Sequence, residues 1–96
     1  MLFMPAGRHT MRESEYRAMY EAVRHKALHD DVGLDPTWFP GIKNQLDAVA
    51  RMVDEDTSLS SNAKRRLAVL DADVLRIAVG KVHAAYMQAV ADMLDN

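Results

Sequence analysis

The stretch from Asn62 to Leu94, NAKRRLAVLDADVLRIAVGKVHAAYMQAVADML, decides the fold class. It contains no proline and a single glycine, Gly80, over a length far beyond that of an ordinary strand. Ala63, Leu67, Leu70, Val74, Ala78, Val82, Ala85, Ala89 and Met93 recur three or four residues apart, which is the period of a straight helix. Val69, Leu75, Ile77, Val79, Tyr86, Val90 and Leu94 flank that series and leave a thin polar ribbon through Asp73, Arg76, Gly80 and His83. A helix apolar on most of its sides belongs in the middle of a bundle. Unbroken, it spans about 50 Å, more than two preceding helices of ordinary length can cover. The pattern therefore predicts either a break near Gly80 or an end that packs on another chain.

Upstream, Thr10 followed three residues later by Glu13 has the capping-box pattern and predicts a helix start. Tyr16, Met19, Tyr20, Val23 and Ala27 then form one apolar stripe running to about His29. Asp30, Asp31 and Gly33 end that helix, and Asp35-Pro36 offers a cap for a turn or short helix over Trp38 and Phe39. Pro40-Gly41 predicts a second interruption, after which Ile42, Leu46, Val49, Ala50 and Val53 carry another helix. Ser60 or Ser61 can cap the last segment, with Leu59 placed to staple onto its first turn. The expected architecture is an all-α bundle of three to four helices over residues 10–96. Residues 1–9, with Pro5 and Gly7, are expected to form a loosely ordered arm.

Composition supports one globular domain. Hydrophobic residues make up 49% and charged residues 27%, too apolar a mixture for a disordered chain, and 96 residues are too few for two independent cores. Seven methionines against 6% aromatics imply a core of flexible and small aliphatic side chains. A formal net charge of -2 supplies no global field toward phosphate backbones or anionic membranes. The absence of cysteine removes disulfides, thiolate metal sites and cysteine nucleophiles. With no signal-like opening and no apolar run of transmembrane length, a cytoplasmic protein is expected.

Four constellations bear on function. His25 and His29, four apart, can face one metal ion, and Asp30 or His9 could add a ligand, which makes a His-based metal-binding helical protein one alternative; a solvated pair favoured by the dipole at a helix C-terminus explains them better, so no metal or other cofactor is expected. Lys64-Arg65-Arg66 is the densest basic run, but it lies in a first helical turn after Asp54, Glu55 and Asp56, which repel phosphate. The adjacent Trp38 and Phe39 are either a plug over one end of the bundle or an anchor for a partner protein. Asp71 and Asp73, two apart, point to different sides of the last helix, with Arg76 as a pairing partner. No nucleophile elbow, phosphate loop or zinc-protease helix is present, so catalysis is not expected.

Leu59-Ser60-Ser61-Asn62 leading to Ala72-Asp73, Arg76 and Lys81 resembles the small helical Hha-type modulators of bacterial nucleoid proteins over about the last third of the chain. The spacings drift by one or two residues, and no membership is read from them. The resemblance implies, as an alternative, a nucleic-acid-associated regulator using Lys64, Arg65 and Arg66. Size and composition are also similar to those of short phage or plasmid proteins, inhibitors included. The preferred expectation is a non-enzymatic module that regulates or inhibits a macromolecular partner. In it Trp38 and Phe39 meet a protein partner, while Val82, Tyr86, Ala89, Val90, Met93 and Leu94 hold a homodimer together.

Overall fold

The computed structural model describes residues 10–95, which form three helices: α1 (Glu13–His29), α2 (Trp38–Glu55) and α3 (Ser61–Asp95). No strand occurs among the described residues. The expected arm over residues 1–9, including His9, lies outside them.

Helix α1 starts later than the Thr10/Glu13 pattern predicts. The Met11 N–H is captured by a carboxylate oxygen of Asp56 at 3.0 Å, and the chain stays extended through Arg12. The reciprocal capping bond is made instead by Glu15, which accepts from the Arg12 N–H at 2.8 Å. The helix ends where expected: Asp30 is extended, and Gly33 adopts φ 54°, a region open to glycine at little cost.

Pro40-Gly41 does not interrupt. Trp38 to Glu55 is one helix, so the separate short element over Trp38 and Phe39 is absent and the described residues form three helices. Pro40 sits in the first turn, where a missing N–H leaves no intrahelical bond unmade. Asp35 tightens the entry by accepting from the Thr37 N–H at 2.8 Å and the Thr37 hydroxyl at 2.7 Å. Ser60 caps α3 by accepting from the Ala63 N–H at 3.0 Å, and Leu59 packs against the core as a staple would.

The core is one stripe from each helix: Tyr16, Tyr20, Val23 and Ala27 from α1; Ile42, Leu46, Val49 and Val53 from α2; Leu67, Val74 and Ala78 from α3. The buried series on α3 stops at Ala78, although the helix continues to Asp95. Length explains this. At 17 and 18 residues, α1 and α2 are about 26 Å long, half of the roughly 52 Å of a 35-residue helix. The break foreseen as one possibility near Gly80 does not occur, and the last turns of α3 extend past their two neighbours.

Gly80 is exposed, has no neighbour within 4 Å of where a Cβ would stand, and lies outside the positive-φ region. Gly80→Ala is therefore expected to stabilise by about 0.5–1 kcal/mol. Thermal denaturation checks this, and a lowered melting temperature would show that the glycine is needed.

Candidate interaction surface

The overhang begins where Lys81 fastens α3 to the end of α1: its ammonium donates to the Leu28 carbonyl at 2.7 Å. Around and beyond it lie the most exposed large apolar side chains of the helix's second half, including Val79 at 51%, Tyr86 at 60%, Met93 at 70% and Leu94 at 80% exposed. Ala89 and Val90 are half-buried along the same segment. A cluster of this kind on a monomer marks a contact surface more often than a solvated one.

Trp38 and Phe39 part company. Trp38 is turned inward and tied down, its indole N–H donating to Asp30 Oδ2 at 2.7 Å. Lys26, at 2.8 Å, and this indole bond together hold the Asp30 carboxyl below its usual range. Trp38 is thus closer to the plug than to the free anchor. Phe39, also half-buried against the core, joins Val79, Val82, His83 and Tyr86 around an apolar groove of about 430 Å³. Residues expected to serve two separate faces therefore share one surface. The antiparallel run of α2 and α3 is the signal that sequence reasoning overlooked, since counting equally back and forward from Ser58 sets Phe39 beside Ile77 and its neighbours.

The other constellations are drawn into the fold. Arg66 makes a two-pronged pair with Glu13, Nε to Oε2 at 2.7 Å and Nη2 to Oε1 at 2.8 Å, and Lys64 donates to the Asp54 carbonyl at 2.9 Å. Only Arg65, at 3.4 Å from Asn62 Oδ1, is left loosely held. Closing contacts to α1 and α2 thus accounts for cations near the start of α3, where the helix dipole disfavours them. The His25 and His29 rings lie 4.2 Å apart between centroids, tilted by 31°, and His29 Nδ1 is bonded to the His25 carbonyl at 2.9 Å. No group of three or more metal-ligating side chains gathers among the described residues. Asp73 pairs with Arg76 at 2.6 Å and with Arg24 at 3.5 Å.

Asp71 turns instead toward Tyr20 and a second cavity of about 490 Å³, lined also by Ala50, Val53, Lys64 and Arg65. Its Oδ2 is buried without a hydrogen-bond partner among the described residues, and burial pushes the carboxyl up. Burial and the facing Asp71 likewise push the Tyr20 hydroxyl up. A carboxyl raised in the folded state contributes less stability as pH rises past its unfolded value near 4. Asp71→Asn is accordingly expected to raise the melting temperature by a few degrees at pH 7 and to leave it nearly unchanged at pH 3. A loss of stability at pH 7 would show that the charge is needed.

Comparison with known protein families, with characterised proteins and with solved structures finds no match. No helix among the described residues is long and apolar enough to cross a membrane.

Proposed function

We propose that the protein is a non-enzymatic, cytoplasmic interaction module that regulates or inhibits a macromolecular partner by docking at the Phe39 groove and the α3 overhang. The observation that carries this reading is the continuity of the groove lined by Phe39, Val79, Val82 and Tyr86 with the exposed apolar residues toward Leu94. A groove walled by two helices with an apolar rail leading out of it suits an amphipathic helix as partner.

Docking of nucleic acid through Lys64, Arg65 and Arg66 is the rival. It would require Arg66 to leave Glu13 and Lys64 to leave the Asp54 carbonyl, so the apolar surface is the stronger candidate. Capture from cell extract by immobilised protein, compared with Phe39→Ala and Tyr86→Asp, decides between them. Loss of the same captured protein in both variants is the expected result. Capture that both variants retain, or binding that follows Arg65→Glu and falls steeply with salt, would overturn the proposal.

A further inference from the structure

We infer that the occupant of this surface is the same segment of a second copy, laid antiparallel across the α3 overhang. The inference rests on the docking reading above, with the second copy as the occupant that a macromolecular partner displaces.

Spacing is the first argument. Val79, Val82, Tyr86, Ala89 and Met93 alternate steps of three and four, the seam of paired helices that supercoil. Antiparallel pairing sets the two kinds of seam position against each other. With its centre between Met87 and Gln88, Tyr86 lies opposite Ala89 of the second copy and Val82 opposite Met93. Symmetry repeats both layers. The largest seam residue then meets the smallest. Met93 of the second copy, arriving beside Val82, enters the groove walled by Phe39 and His83.

Bulk chooses the direction, because α1 and α2 occupy only the first half of α3. Antiparallel copies keep those two bodies at opposite ends, whereas parallel copies force them side by side. The seam from Val79 to Asp95 is only about 25 Å long, short for an interface that needs roughly 800 Å² per partner. The groove wall at Phe39 enlarges it, and a dissociation constant in the micromolar range is expected.

The chain has no cysteine, so single introduced thiols report the pairing directly. Val82→Cys and Met93→Cys chains are mixed, oxidised in a thiol–disulfide buffer and resolved by mass, with sedimentation equilibrium on the unmodified protein. A dimer at high micromolar concentration is expected, with the mixed disulfide between positions 82 and 93 dominating both homotypic links. Tyr86→Asp should raise the dissociation constant at least about tenfold, because it forces a charge into the seam. Dimers linked mainly like to like would overturn the antiparallel arrangement, and a chain that stays monomeric would overturn self-pairing. In the monomeric case, a protein captured by the wild type and released by Phe39→Ala would leave the docking reading standing. No such capture would remove both.

Discussion

Asp56→Ala is expected to destabilise the protein by about 3–5 kcal/mol, a large share of the stability of any domain this size. Asp56 has no exposed surface, yet its two oxygens accept from four donors. Oδ2 takes the Met11 N–H at 3.0 Å and the Tyr16 hydroxyl at 2.7 Å, and Oδ1 takes the Ser58 N–H at 2.9 Å and the Ser58 hydroxyl. Those donors come from the entry to α1, from α1 itself and from the loop between α2 and α3. One carboxylate at the end of α2 thus ties α1 and its entry to the loop that leads into α3. Alanine would leave the buried Tyr16 hydroxyl and the part-buried donors without an acceptor, the costliest kind of hydrogen-bond loss. Tyr16→Phe removes only one donor and is expected to cost about 1–2 kcal/mol. Chemical denaturation measures both. A cost for Asp56→Ala below about 1 kcal/mol would show that the network contributes little.

The same network sets an acid limit. Burial alone would raise the Asp56 carboxyl, but bonds from Ser58, Tyr16 and the Met11 N–H outweigh it and hold the carboxyl down at about 2. Burial and the facing carboxylate push the Tyr16 hydroxyl up to about 12, so it remains a donor across the physiological range. A carboxyl depressed in the folded state contributes stability that is complete above its unfolded value and lost as pH falls through its folded one. Stability is therefore expected to decline between about pH 4 and pH 2, by on the order of 2 kcal/mol from this group. Asp56→Asn should flatten that part of the profile.

Helix identity was legible because apolar spacing reflects burial directly: Tyr16, Tyr20, Val23 and Ala27, and likewise Ile42, Leu46, Val49 and Val53, are the residues that fill the core. Pro40 was misleading because the effect of a proline depends on its position. In the first turn it breaks nothing, and only the location of the Thr37 cap shows that this is the first turn. Asp56-Thr57-Ser58 announces a turn through its local side-chain bonds, but its reach to Tyr16, forty residues away in sequence, is a tertiary fact with no local trace. The apolar surplus past Ala78 was readable from helix lengths alone. Sequence spacing separated Phe39 from Tyr86, which become neighbours only once α2 and α3 run antiparallel.

Gly80→Pro should do the most damage to the proposed surface. A proline in a helix interior removes the N–H that bonds to the fourth residue back, here Arg76, and clashes with that carbonyl, at about 3 kcal/mol or more. Gly80 lies two residues past Ala78, the last fully buried residue of α3. The break would therefore fall at the junction between packed body and overhang. Upstream, Leu67, Val74 and Ala78 hold their half of the helix against α1 and α2 whether or not the later turns form. Downstream, residues 81–95 have little tertiary support, and an isolated helix of that length is marginal in water. The expected result is a folded body whose far-ultraviolet ellipticity lacks the contribution of residues 81–95, together with loss of self-association. Gly80→Ala at the same site keeps both, which separates helix continuity from the identity of the residue. A Gly80→Pro chain that retained full helicity and still dimerised would show that the overhang does not depend on α3 being continuous.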